Sequence, residues 1–391
     1  MTPFAERVSM LESEGAYAVL ARSQALEAQG REILHLEIGQ PDFDTPAHVS
    51  AAAVKAIRGG QTRYNPPAGV PALRQLIATE AGRAHGLEFT PAQVVVGPGA
   101  KPGLFFPTLA LVQAGDEVIY PDPGFPTYKA MIAIAGGVPV PVPLREENGF
   151  SFDLKAFDQA ISARTRLIVL NSPANPTGGV IPLADLKHIA AKAQAVDAWV
   201  LSDEIYGRLA YDGNPVPSIA SLPGMLERCI IVDGFSKTYA MTGWRLGYTI
   251  MPEALAGRVE LLLTHSVGCT ATFTQYAGIE AIRGPQDQVG AMVAEYQRRR
   301  DHIAAGLNAI PGIRCLVPQG AFYVFPNVKS FGPPSSEIAR RLLDEAGVAA
   351  LSGTDFGPHG EGYLRLCYAT SLKTIDRALE KMEAFFRSLA A

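Results

Sequence analysis

Five short segments of this 391-residue chain carry polar residues able to do chemistry, each lying on or just beyond an apolar run. In DGFSKTYAMTGWRLGY, Lys237 stands just past a β-branched run and Arg245 follows eight residues later. A lysine held among apolar and small neighbours is disfavoured in its charged form, and its free amine is a competent nucleophile toward an aldehyde. A solvated surface lysine is the ordinary alternative. In SDEIY, Asp203 and Tyr206 follow Trp199-Val200-Leu201, and a carboxylate at the end of a buried strand needs a cation or a strong donor to meet it. In YLRLCYATS, Arg365 sits centrally in an apolar strand, where its planar fork suits a carboxylate bidentately, either a ligand's or that of a structural Asp or Glu.

Two further segments are glycine- and proline-rich. GPGAKPG, Gly97 to Gly103, joins a strand to a helix expected to begin near Lys101. Its glycines let backbone approach a ligand, and the free N–H groups of the helix start favour an anion such as phosphate; a tight turn is the plainer reading. NSPANPTG, Asn171 to Gly178, follows another apolar strand, and its prolines stiffen a turn that leaves the amide of Asn175 free to face a cleft or to serve the turn alone.

The elements that must hold these residues are legible from pattern. From about residue 50 to 285, short β-branched runs alternate with longer helical stretches, the signature of strand-helix-strand crossovers and a largely parallel sheet. Expected strands are Val94 to Val96, Glu117 to Tyr120, Leu167 to Leu170, Trp199 to Ser202, Cys229 to Val232 and Leu246 to Ile250. In open α/β sheets ligands bind beyond the carboxyl ends of the strands, where these polar segments fall. After residue 285 the pattern changes to a charged helix ending at Gln297-Arg298-Arg299-Arg300-Asp301, then short strands at Ile313 to Leu316 and Ala321 to Phe325. The expected division is therefore a large α/β domain over 50–285 and a smaller α+β domain over 286–391. Residues 1–49 join the smaller domain, set apart from the sheet by the Gly39-Gln40-Pro41-Asp42 turn.

Composition closes off several classes. The formal charge is −4, from 34 basic and 38 acidic residues without long runs of either sign, which gives no footprint for nucleic acid. Cys229, Cys269, Cys315 and Cys367 lie far apart with no metal-ligand spacing, so no metal is expected and a reducing, cytoplasmic setting fits. The N-terminal MTPFAERVSMLESEG lacks the apolar core of a signal peptide. The uncharged run Leu261 to Ile279 contains too many Thr, Ser, Gln and His residues to span a membrane and reads as buried helix and loop.

Together the segments IGQPDFDTP, YNPPAGVPALR, NSPANPTG, SDEIY, SKTYAMTGWRLGY, GAFYVF and YLRLCYATS, in this order from about Ile38 to Ser371, resemble the class I/II aminotransferases of fold type I. The resemblance is strongest to the bacterial aspartate-aminotransferase-like group. It implies a large domain with a mostly parallel seven-stranded sheet flanked by helices, a smaller α+β domain, and dependence on pyridoxal 5′-phosphate. By motif position, Lys237 would bond the cofactor aldehyde and later carry the proton between the substrate Cα and the cofactor, and Asp203 would pair with the pyridinium nitrogen. Tyr206 and Asn175 would hydrogen-bond the ring's phenolic oxygen, and Phe125 in PDPGF would stack on the ring. Arg245, Ser236 and the amides of Gly99, Ala100 and Lys101 would hold the phosphate. Arg365 would take the substrate α-carboxylate, assisted by Asn175 and the backbone of Gly39. Tyr64 in TRYNPPAG would reach the phosphate of a neighbouring subunit, which implies a homodimer.

The implied reaction moves an amino group from an L-amino acid to a 2-oxo acid, 2-oxoglutarate or pyruvate, by a ping-pong cycle. Aspartate or glutamate is favoured as donor, with Lys101 placed to read a distal carboxylate, and neutral or aromatic donors remain open. Departures from the family pattern are Gly234, where many relatives have serine, and EGAYAVLAR, which would line the substrate entrance and lacks a Ser/Thr pair seen in one subgroup. The alternatives are another outcome on the same scaffold, such as β-elimination, decarboxylation or oxidation, and a cofactor-binding regulatory module. Only roughly 30 to 40 residues precede the start of the resemblance near Ile38, too few for a helix-turn-helix unit and its linker. A nicotinamide dehydrogenase is disfavoured because the glycine loop has the wrong spacing.

Overall fold

A computed structural model describes residues 4–11 and 14–390. Its strands are β1 (Leu34–His35), β2 (Val94–Gly97), β3 (Glu117–Asp122), β4 (Val138–Arg145), β5 (Ser151–Phe152), β6 (Thr165–Asn171), β7 (Trp199–Asp203), β8 (Cys229–Gly234), β9 (Gly247–Ile250), β10 (Tyr323–Val324), β11 (Val348–Ala349), β12 (Leu351–Ser352) and β13 (Leu364–Cys367). The main sheet runs β2-β9-β8-β7-β6-β3-β4-β5. Strands β8, β7, β6, β3 and β4 are mutually parallel, while β9 lies antiparallel to both of its neighbours.

The sheet thus has eight strands rather than the seven expected. The extra one is the two-residue β5, which folds back antiparallel on β4 after Gly149 turns the chain at φ 66°. Strand β4 itself escaped the sequence reading because its VPVPVPLR pattern carries a proline at every second position, and proline argues against a strand. The alternation explains the tolerance. Successive residues of a strand turn their backbone groups to opposite neighbours, and the N–H of Val138 reaches Asp116 on the β3 side. The prolines, having no N–H, take the outer edge, where the carbonyl of Pro143 accepts from Asp153.

Neighbouring residues of one strand feed different cores, as a sheet covered on both faces demands. Val94, Val96, Ile168 and Val200 pack into one cluster, and Val95, Leu167, Val169 and Leu201 into another. A third core gathers the small antiparallel sheet β10-β13-β12, the helix Asp287–Ala309 and the helix Leu372–Ala390. Strand β1 pairs in parallel with β11, which ties the early chain to this C-terminal part. Tyr206, Leu209 and Tyr211, just beyond β7, reach into the same core and fasten it to the main sheet.

Two local expectations are corrected. The charged helix continues past Asp301 to Ala309, because Ile303, Ala304 and Leu307 carry its buried stripe onward. The expected strand at Ile313 to Leu316 reduces to a single bridge between Arg314 and Asn327. There the Asn308 side chain bonds both the N–H and the carbonyl of Cys315, taking the groups a neighbouring strand would have used.

Candidate active site

The carboxyl ends of β6, β7 and β8 converge on one cavity of about 630 Å³. Lys237 enters it from the loop 235–246, which joins β8 to its antiparallel neighbour β9. Ala240 and Arg245 adopt left-handed backbone at φ 51° and 53° to make that reversal, and Phe235 N–H closes it on the carbonyl of Leu246. The Lys237 amine donates to the carbonyl of Gly39 at 2.6 Å and lies 5.8 Å from the ring centroid of Tyr206 and 5.5 Å from that of Phe322. Burial lowers its pKa to about 8; Arg365 and Arg245 push the same way, and Asp203 opposes them.

Asp203 closes β7 and is buried. Its Oδ2 accepts from the Tyr128 hydroxyl at 2.7 Å, and its Oδ1 accepts from the Ile205 N–H at 3.3 Å. Burial pushes its carboxyl up to about 6, against the lowering effect of these donors. Asn171, at the end of β6, donates to the Asp203 carbonyl at 3.0 Å and accepts from the Asn175 N–H at 2.8 Å, so one side chain registers two strand ends. The Tyr206 hydroxyl lies 2.8 Å from that of Tyr323.

Arg365 projects from β13 on the opposite wall and is 4% exposed. Its guanidinium donates to the Glu37 carbonyl and to Asn175 Oδ1 at 3.5 Å, and stacks 4.6 Å from the Tyr323 ring and 5.1 Å from that of Phe356. Its Nε is buried with no partner among the described residues. An arginine so deep, bonded mainly to carbonyl-type oxygens, still has a donor to offer an anion. Gly39 is held close: a Cβ there would lie 2.0 Å from the Tyr323 hydroxyl oxygen.

The third corner suits an anion. The helix Lys101–Leu111 begins at the end of the glycine turn, with Gly99 at φ 91° and so near Arg245 that a Cβ would sit 2.4 Å from Nη2. Arg245 donates to the carbonyls of Thr242 at 3.0 Å and Pro98 at 3.5 Å. Ser236 is buried beside it. Gly234, the departure noted in the sequence, has little room for a side chain, since a Cβ would meet Gly247 Cα at 3.0 Å.

Eleven of the residues singled out from sequence line this one cavity: Gly39, Ala100, Lys101, Phe125, Asn175, Asp203, Tyr206, Ser236, Lys237, Arg245 and Arg365. Gly99 stands behind the lining, against Arg245. Tyr64 does not reach it and is 97% exposed. Sequence reasoning missed Tyr128, Asn171, Tyr323 and Asp355, which also line the cavity, as does Glu14 at the head of the EGAYAVLAR stretch expected at the substrate entrance. Tyr128 had a usable signal, a hydroxyl in the first turn of a helix just beyond PDPGF, whereas Asp355 is brought in only by tertiary packing.

A mostly parallel sheet with an amine, a carboxylate and two arginines at its strand ends, completed by a smaller α+β part, defines an α/β transferase of fold type I. The chain belongs to the family of class I and II aminotransferases, whose model matches residues 31–382, and it is a transaminase. It is 38% identical to the aspartate aminotransferase of Geobacillus stearothermophilus, over 99% of each chain. It is 39% identical to aromatic-amino-acid aminotransferase 2 of Thermococcus litoralis, covering 91% of this chain and 92% of that protein. The solved alanine aminotransferase of Pyrococcus furiosus superposes with a TM-score of 0.94 at 32% identity, covering 99% of this chain and 100% of that one.

Proposed function

We propose that this enzyme uses pyridoxal 5′-phosphate to move an amino group from an L-α-amino acid to a 2-oxo acid, with Lys237, Asp203 and Arg365 as its working residues. The carrying observation is one cleft that sets a lysine amine of depressed pKa opposite a buried arginine with an unpartnered Nε. The fit to the cofactor rests on the donor set. Arg245, Ser236 and the amides at the start of the helix Lys101–Leu111 would hold the phosphate, Asp203 the ring nitrogen, Tyr206 and Asn175 the ring oxygen, and Phe125 the ring face. Pyridoxal 5′-phosphate supplies an aldehyde that accepts the amino group and a ring that withdraws the electron pair left on the substrate Cα.

The chain's own residues do the rest. Arg365 takes the α-carboxylate and fixes which substituent of Cα faces Lys237. The Lys237 amine, neutral in appreciable fraction near pH 8, would take the Cα proton and deliver it to the carbon on the far side of the amino nitrogen, two atoms away. Asp203 keeps a negative charge where the ring nitrogen needs a proton, and Tyr128 holds that carboxylate in place.

The loop bearing Tyr64 is pinned by Asn65, which donates to Thr270 O and Thr272 Oγ1, yet the Tyr64 ring projects into solvent. That supports a homodimer in which each Tyr64 serves the neighbouring phosphate site. The four unpaired cysteines support a cytoplasmic setting. No helix among the described residues is long and apolar enough to cross a membrane.

The test is to load purified protein with the cofactor, reduce with borohydride and map the label by mass spectrometry. Label on Lys237, and conversion of amino acids to 2-oxo acids in single half-reactions, is the expected result. Label elsewhere, or no conversion of any of the twenty amino acids, overturns the proposal.

A further inference from the structure

At the outer end of the cleft Glu14 makes an ion pair with Lys101, whose Nζ also lies 5.2 Å from the ring centroid of Phe125. Glu14 immediately precedes the helix Gly15–Glu27, and its side chain caps none of that helix's amides. The carboxylate is committed to Lys101 instead. The next residue packs closely here: a Cβ at Gly15 would lie 2.5 Å from Asp355 Cγ, so any larger residue would have to push the Asp355 carboxylate aside. Glu14, Lys101 and Asp355 all line the cavity that holds Lys237 and Arg365.

If Arg365 takes the α-carboxylate, as proposed above and on which this inference rests, a substrate side chain extends from the Lys237 region toward this outer end. Lys101 is the cation there that a distal carboxylate would seek, and in the folded chain it already has a carboxylate. We propose that Glu14 is an internal stand-in for a substrate carboxylate. It occupies the seat at Lys101, matches the resting cleft to an uncharged donor side chain, and admits a dicarboxylate only by being displaced. Asp355 places a second negative charge on the same wall and raises the cost to an incoming dianion. The Glu14–Lys101 pair is half in solvent, with 28% and 44% of the two side chains exposed, which keeps it weak enough to exchange. One cleft can then serve a neutral amino acid in one half-reaction and a dicarboxylic 2-oxo acid in the other.

The test uses cofactor-loaded protein and two non-reacting ligands, succinate and isovalerate, with binding measured by calorimetry, alongside half-reaction rates for aspartate and alanine. Glu14→Gln should raise the succinate-to-isovalerate affinity ratio, and the aspartate-to-alanine rate ratio, by about two- to fivefold. Adding Lys101→Ala to that variant should abolish the gain. An unchanged or lowered ratio, or an equal change with both ligands as a merely structural role would give, overturns the proposal. Failure of the wild type to convert any amino acid would sink the transfer reading, while the succinate-to-isovalerate ratio would still report on Glu14.

Discussion

The floor of the cleft and its rim are built by different means. The floor residues Asn171 and Asp203 end adjacent strands at a fixed register, Asn171 facing Asp203, and each is bonded to a neighbour that is itself buried. The rim residues Glu14, Lys101 and Asp355 come from three segments far apart in sequence, remain partly exposed, and meet through one ion pair and one glycine contact. The difference separates two tasks. On the proposed reading, chemistry shared by every substrate sits where the backbone ladder holds geometry tightly, and discrimination among side chains sits where a partner can be exchanged at small cost.

The sharpest break of that comparison would be a floor residue that tolerates change. Lys237→Ala should lower kcat by at least about 10⁴-fold, since it removes both nucleophile and proton carrier, with the far-UV circular dichroism unchanged. The intact amine also has a pH signature. Burial lowers its pKa to about 8, so it is charged and unreactive below that value and neutral above it. In cofactor-free protein, labelling of Lys237 by a small aldehyde with cyanoborohydride should rise through pH 8, well before ordinary lysines respond near 10.4. Labelling that follows the ordinary lysines would show that the floor does not tune its nucleophile.

Tyr128→Phe tests the second layer of the floor with a smaller expected effect. It deletes the hydroxyl that donates to Asp203 Oδ2 at 2.7 Å and leaves the ring volume in place. A hydrogen bond to a charged group is worth about 1.5–3 kcal/mol, so kcat/KM should fall by about 10- to 100-fold. The donor lowers the Asp203 pKa against the burial that raises it, so its loss should move the acid limb of the pH profile to higher pH. A fall in activity with no shift of that limb would mean Tyr128 only fills space.

The same contrast explains what the sequence could show. Lys237, Asp203, Asn175 and Arg365 were legible because an apolar strand followed by a polar residue is a local pattern, and strand ends in such sheets point at ligands. Strand β4 was illegible because its alternate prolines contradict strand propensity, and only its place near the edge makes them harmless. Tyr128 carries a local mark, a hydroxyl in the first helical turn beyond PDPGF, but its partner Asp203 is 75 residues away and no local pattern joins the two. Asp355 carries no local signal, being brought to the cleft by the pairing of β12 with β13 just ahead of it, and Glu14 was legible only as the head of the EGAYAVLAR stretch.

Asp355→Asn probes the rim and should have the smallest effect. Burial raises the Asp355 pKa above that of the unfolded chain, so the folded state holds its proton more tightly and stability is lost as pH rises above the unfolded value of 3.8. Replacing the carboxylate with its neutral isostere removes that cost, so the melting temperature at pH 7 should rise by roughly 1 °C, with the gain vanishing as pH falls toward 4. Turnover of alanine should change by less than about threefold, because no hydrogen bond of the floor depends on this side chain. A tenfold loss with alanine would put Asp355 with the floor residues, and the separation between a stiff catalytic base and an exchangeable rim would fail at that point.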